Sequence, residues 1–131
     1  MSRTPEEVAY LRAVLAASAV AADALLAMER VAEHLAPERS TALAAEIEQR
    51  CAAPLVRARD ALTGAPPPAE LAPFDQIFAA AFGHALTCIE LFSGFPHAPP
   101  PERIPRILAA LHHQAQAHEH SETADVILGF V

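Results

Sequence analysis

Four stretches of the chain carry apolar residues at every third or fourth position, which is the spacing of one face of an α-helix. The first stretch opens with the capping signal Thr4-Pro5-Glu6-Glu7, and we expect its helix to end near Leu35. Charged residues are few on its opposite side, so we expect other helices to cover it on more than one side. Its stripe comprises Leu11, Val14, Leu15, Ser18, Ala21, Ala22, Leu25, Met28, Ala32 and Leu35.

A second helix is predicted to follow Pro37 and to run to Leu62, starting either at Pro37-Glu38 or with Ser40 as its cap. Pro54 lies inside its apolar stripe and lacks a backbone N–H. Because no turn residues flank Pro54, we expect it to kink this helix without ending it.

The third and fourth helices lie on either side of a proline-rich loop. The third, Glu70 to Ser93, is the most apolar, and five of the six phenylalanines fall between Phe74 and Phe95, so it should form the centre of the core. The fourth begins near Glu102, and we expect a break or a frayed end at residues 121–123. The apolar residues 126–131 should dock against the bundle as a short segment.

Together these patterns predict an all-α fold, an antiparallel four-helix bundle with a short docked C-terminal segment. The 131 residues are expected to form a single domain, residues 1–131, because this length suits one hydrophobic core.

The charge of the chain disfavours nucleic acid and anionic membrane surfaces as partners. The formal net charge is −7, and the nearest approach to a basic cluster, Arg50, Arg57 and Arg59, is interrupted by Asp60. A nucleic-acid-binding surface needs a basic stripe to offset phosphate repulsion.

The sequence also favours a soluble, cytoplasmic protein. The longest apolar stretch, Ala13 to Ala22, is about half the length that spans a bilayer, and the N-terminus lacks the pattern of a secretory signal. With two cysteines and no export signal, we expect no structural disulfide. Cys51 and Cys88 both fall on apolar stripes, which predicts buried, reduced thiols.

Two pairs of side chains have the spacing of metal ligands on one helix face. His84 and Cys88 form one pair at i,i+4, and His118 and Glu122 form the other. The segment from His112 to His120 holds four of the seven histidines, yet none of them has a histidine three or four residues away. The candidate metal ligands are therefore the members of the two pairs: His84, Cys88, His118 and Glu122. No cofactor is the first expectation, and a transition metal or haem is the alternative.

A third ligand for the first pair is not expected. If the third and fourth helices pair antiparallel through the proline loop, Cys88 lies level with Leu108, and His118 lies about 15 Å further along the axis. Cys88 also belongs to the phenylalanine stripe, so a structural role is favoured for it.

Other catalytic patterns are missing from the sequence. No histidine follows a glutamate by three residues, which excludes the Glu-x-x-His pairs of di-iron bundles. The sequence contains no Cys-x-x-Cys, no glycine-rich phosphate loop and no Gly-x-Ser-x-Gly.

One short segment, Arg106-Ile-Leu-Ala-Ala-Leu-His112, resembles the Arg-x(4–6)-His signature that HEPN-type RNA-cleaving helical domains carry on a late helix. The resemblance implies that Arg106 stabilises phosphate charge and that His112 acts in acid–base chemistry. It covers seven residues, and Ile107 stands where that family usually has a polar residue.

Three functional hypotheses follow. The leading one is a non-enzymatic helical bundle that acts through self-association, as a homodimer, or through a protein partner, because the apolar faces exceed what one small core can bury. The second is a metal- or haem-binding bundle that uses His84 and Cys88 or the segment from His112 to His120. The third is the HEPN-like ribonuclease.

Overall fold

The computed structural model describes residues 3–33 and 40–129, and this part of the chain is helical and contains no strand. The all-α fold is confirmed. A π-helical turn, Glu48–Ala52, joins the second and third helices, and 3₁₀ turns, Ala69–Leu71 and Phe95–His97, flank the fourth. The helices are α1 (Pro5–Ala32), α2 (Ser40–Ile47), α3 (Ala53–Thr63), α4 (Ala72–Gly94) and α5 (Pro100–Gly129).

The start of α1 follows the predicted capping signal. The Glu7 backbone N–H donates a 3.2 Å hydrogen bond to Thr4 Oγ1, which satisfies one of the N–H groups left open at a helix start. The predicted end of this helix near Leu35, Pro37 and the alternative start at Pro37-Glu38 all lie outside the described residues.

The predicted second helix continues past Pro54, and it does so through the π turn between α2 and α3. The Ala53 N–H bonds to the Glu48 carbonyl, five residues back, just before the proline that has no N–H to donate. The apolar stripe is kept across the turn, since Cys51 and Leu55 are both fully buried. The helical path therefore passes Pro54 without ending, as the sequence predicts.

Two contacts show that α1 and α4 run in the same direction. Near their starts, the Tyr10 hydroxyl donates to Asp75 Oδ1 at 2.6 Å. Further along both helices, Cys88 Sγ donates to Met28 Sδ at 3.5 Å. Helix α2 packs against the 3₁₀ turn at the end of α4, and a short loop joins the end of α3 to the turn at the start of α4. The path through α2 and α3 therefore runs in the opposite direction.

Helix α5 runs antiparallel to α4 and packs almost entirely on it. Arg106 Nε donates to the Leu91 carbonyl at 2.9 Å. His113, seven residues after Arg106 in α5, lies beside His84, seven residues before Leu91 in α4. The helical path therefore alternates up, down, up and down, which is the predicted antiparallel arrangement.

Helix α4 is the centre of the core, as its phenylalanines predict. Helix α5 contributes only three buried residues, Ala110, Ala117 and Ala124, at seven-residue intervals. The buried centre of its contact with α4, which we call the seam, therefore carries small side chains on the α5 side. The buried residues of α4 are Phe74, Phe78, Ala81, Phe82, Ala85, Leu86, Cys88, Ile89 and Phe92.

The break predicted at residues 121–123 is wrong, because α5 continues to Gly129. Thr123 Oγ1 donates to the Glu119 carbonyl one turn back, so this polar side chain is satisfied within the helix. Ala124 is buried, and Ile127 and Leu128 pack against the core. The C-terminal residues that the structure describes therefore dock as the last turns of α5.

Two helical spans, Pro5–Arg30 and Ala69–His97, are long and apolar enough to cross a membrane by length and composition alone. The core helix of a soluble protein passes the same test. The second span is the core helix α4 with its flanking turns. The first is α1, most of which is not buried in the bundle.

Candidate functional site

A groove runs between α1 and α5, and α4 forms its floor. In a closed up-down-up-down bundle the first and last helices pack together. Here they are held apart, and the Gln114 side chain bridges them by donating a 2.7 Å hydrogen bond to Glu29 Oε1. The groove has a volume of about 620 Å³ and is lined mainly by apolar residues: Ala21, Ala22, Leu25, Leu26, Phe78, Ala81, Phe82, Ala85, Leu111, Ala115 and Ala117, with Ser18, Glu29, Gln114, His118 and Ser121.

The walls of the groove carry large apolar side chains that face solvent. On α1, Leu15 is 70% exposed and Leu26 is 46% exposed; they are eleven residues apart, which returns to nearly the same side of a helix. On α5, Leu108 is 60% exposed and Leu111 is 48% exposed. The exposed apolar faces of both helices therefore adjoin the same groove.

Three polar residues of the groove lining, Glu29, Gln114 and His118, are paired with other side chains. Glu29 and Gln114 bind each other across the groove. His118 Nε2 lies 3.0 Å from Glu122 Oε1, one turn further along α5, and both side chains are largely exposed. Apart from Ser18 and Ser121, the rest of the groove lining is apolar.

Three imidazoles lie in a row on the other side of the seam between α4 and α5. His84 of α4 sits between His113 and His120 of α5, with ring centroids 5.1 and 5.2 Å away. The Nδ1 atoms of His84 and His113 are 2.9 Å apart, so one of them carries a proton and donates to the other. We call His84, His113 and His120 the histidine ladder.

The surroundings of His84 disfavour its charged form. Partial burial lowers its pKa below the ordinary value of 6.5, and His113, His120 and His112 lower it further because like charges repel. These three groups on α5 are the charges that act on His84, and no carboxylate is among them.

The structure does not bring the four predicted metal ligands together. Cys88 is buried against Met28, and burial raises the pKa of its thiol to about 12. His84 faces α5, and His118 with Glu122 forms an exposed pair beside the groove. Within residues 3–33 and 40–129, no three histidine, cysteine, aspartate or glutamate side chains are placed to hold one metal ion.

Spacings of three and four residues along one helix do not predict the histidine ladder, because its members come from two helices. His113 and His120 are seven residues apart, on the same side of α5, and the gap between them is filled from another helix. The antiparallel register predicted for the third and fourth helices does bring His84 close to His113. If Cys88 lies level with Leu108, then His84 lies level with His112, next to His113.

The two residues of the ribonuclease-like segment lie about 120° apart around α5, given ~100° per residue. Arg106 is half-buried, donates to the Leu91 carbonyl and passes so close to Gly94 that a Cβ there would collide with its guanidinium. His112 is exposed, and its ring contacts that of His113. Arg106 thus fastens the start of α5 to the end of α4.

Comparison with known proteins leaves the function to be inferred from the groove and the ladder. The chain matches no known protein family model, no curated protein and no solved structure.

Proposed function

We propose that this protein is a non-enzymatic helical bundle that acts through self-association, as a homodimer formed on the groove face. The observation that carries this function is the open bundle. Helices α1 and α5, which would pack together in a closed bundle, are separated by a groove of about 620 Å³.

The groove face exposes several large apolar side chains to water. Leu15, Leu26, Leu108 and Leu111 are all more than two fifths exposed, and they flank a floor of phenylalanine and alanine. Contiguous apolar patches of this kind mark association surfaces in soluble proteins.

A second copy is the occupant that this face fits best, because the same face carries both projections and a recess. The leucines project from the walls, whereas the recess is lined by the small side chains of Ala21, Ala22, Ala115 and Ala117. A twofold interface requires a self-complementary surface of this sort. In such a dimer, Leu26 and Leu111 of each copy enter the groove of the other.

The face is also large enough for a stable dimer. Helix α1 has 28 residues and α5 has 30, so each is about 40 Å long at 1.5 Å per residue. Two such helices side by side present a face of about 800 Å², which is the area that a standard interface buries on each partner.

We place this dimer in the cytoplasm. Cys51 and Cys88 support that location, because both are buried and neither forms a disulfide.

The test is the molar mass of the purified protein, measured by light scattering coupled to size exclusion without detergent. We expect the mass of two chains at tens of micromolar. Ala22→Glu and Leu26→Glu each place a charge in the groove face, and we expect each to weaken the dimer by about thirtyfold or more, the effect of losing a hot spot worth about 2 kcal/mol.

Ala61→Glu is the matched control for Ala22→Glu. Both alanines are exposed on helices, but Ala61 lies on α3, away from the groove lining. The control should remain dimeric. A monomer mass for the wild type, or a dimer that survives both groove substitutions, would rule out this interface. A monomer that floats with phospholipid vesicles would assign the apolar face to a bilayer instead.

A further inference from the structure

The histidine ladder lies where α5 is fastened to the rest of the protein. Helix α5 packs almost entirely on α4, and the residues that it buries are alanines. Small side chains bury little apolar area, so this seam depends more on its polar contacts than a leucine-rich seam does. On the ladder side those contacts include the pair of His84 with His113 and the Arg106 bond to Leu91.

The pair of His84 and His113 can hold a limited number of protons. At 2.9 Å, one Nδ1 must donate and the other must accept. The pair keeps this hydrogen bond when it is neutral or carries one positive charge, because a proton can be added to an outer Nε2. When both rings are cations, both Nδ1 atoms carry hydrogen, and the bond is replaced by repulsion between two charges.

His120 places a third imidazole beside the pair. Its Nδ1 lies 2.8 Å from the Gln116 carbonyl, which can only accept, so that nitrogen carries a hydrogen. Protonation therefore takes place at Nε2 and makes the ring a cation, 5.2 Å from the centre of the His84 ring. His112 adds a fourth imidazole next to His113.

We propose that the histidine ladder is a pH-sensitive clasp, which holds α5 on α4 when it is largely neutral and releases α5 when it becomes fully protonated. No carboxylate among the groups that act on His84 offsets these charges. The lowered pKa of His84 is consistent with this clasp, because a group that resists protonation in the folded state weakens that state once it is protonated. The ladder and the groove lie on opposite sides of the seam, so the contacts of the ladder are present whether or not the groove face is covered.

The sign of the effect follows from the pKa difference. In the unfolded chain the His84 pKa is 6.5, and in the folded protein it is lower. The stability that neutral His84 contributes is complete above pH 6.5 and is lost as the pH falls below that value. Release of α5 is therefore expected on mild acidification, in the range where imidazoles titrate.

Amide hydrogen exchange of the full chain, corrected for intrinsic exchange rates, tests this clasp. Between about pH 7.5 and about pH 5, we expect the opening equilibrium of α5 to rise about tenfold, the effect of losing one net hydrogen bond. The opening equilibria of α1 and α3 should rise less. His84→Gln removes the central titrating ring and should abolish most of the rise in α5.

His97→Gln is the control, because His97 is an exposed histidine that lies outside both the ladder and the groove lining. It should behave like the wild type. His113→Gln, which removes the partner ring, gives a second test if His84→Gln is unfolded at neutral pH by circular dichroism. An α5 whose opening does not change with pH, or changes equally in the wild type and in both ladder variants, would overturn the clasp. A rise that is equal in all helices would mean global acid unfolding and would overturn it as well.

Discussion

The hydroxyl of Tyr10 donates a 2.6 Å hydrogen bond to Asp75 Oδ1, and this bond joins the first turns of α1 to those of α4. The Tyr10 ring is 2% exposed and meets Phe74 edge to face, with centroids 6.4 Å apart. The phenol thus packs with the core through its ring and reaches a partly buried carboxylate through its oxygen.

We expect Tyr10→Phe to lower the free energy of unfolding by about 1.5 kcal/mol, the value of a hydrogen bond to a charged acceptor. Urea denaturation at one fixed protein concentration measures this loss. Asp75→Asn is the companion variant and should lose less, because the amide oxygen still accepts from the phenol. A Tyr10→Phe protein as stable as the wild type would show that the bond contributes nothing net.

Titration of the same phenol gives an independent prediction. Burial, the bond to Asp75 and the negative charge of Asp75 all raise the Tyr10 pKa above its ordinary value of 10.0. Because Tyr10 is the only tyrosine and the chain has no tryptophan, tyrosinate absorbance reports this residue alone. In the folded protein the tyrosinate absorbance should appear only at pH values well above 10, whereas in the urea-unfolded chain Tyr10 should titrate near pH 10.

The stability of the protein should fall as the pH rises through that range. A phenol whose folded pKa exceeds its unfolded pKa stabilises the fold below the unfolded value, and that contribution is lost at higher pH. Tyr10→Phe should remove this part of the alkaline destabilisation. Titration of Tyr10 near pH 10 in a protein shown to be folded would contradict the prediction.

Both thiols should be inert in the folded protein. Burial raises the pKa of Cys51 to about 11 and that of Cys88 to about 12, so almost no thiolate is present at neutral pH. We expect an aromatic disulfide reagent to label neither cysteine within minutes, and to label both at once after denaturation in urea. Rapid labelling of one thiol in the folded protein would place that cysteine at an accessible surface.

Replacement of Pro54 by alanine should leave the π turn in place. A regular α-helix through this segment would rotate α3 by about 100° relative to α2 and carry Leu55 out of the core. Because packing fixes the turn, we expect Pro54→Ala to change the free energy of unfolding by less than about 1 kcal/mol. Urea denaturation measures the change in the free energy of unfolding. Slow hydrogen exchange of the Ala53 amide, which bonds to the Glu48 carbonyl, shows whether the turn persists. A straightened helix with an exposed Leu55 would show that proline alone creates the turn.

The helical content follows from the local pattern of the chain. Apolar positions at every third and fourth residue predicted α1, the continuous helical path through α2 and α3, the central helix α4 and most of α5. The pattern erred at residues 121–123, where three polar residues predicted a break. The side chain of Thr123 bonds back to Glu119, and burial of Ala124 against the bundle keeps the helix intact. Tertiary packing there outweighs the weak local preference.

The sequence by itself determined that apolar surface exceeds what one small core can bury. Only the tertiary structure decided that the surplus lies on the groove face of α1 and α5, because that depends on which helices approach each other and how closely. The same holds for the histidine ladder. The sequence contained His84, His113 and His120, but their meeting depends on the register between α4 and α5. A seam of alanines at positions 110, 117 and 124 sets that register, since only small side chains let the two helices come close enough for imidazoles on their flanks to touch.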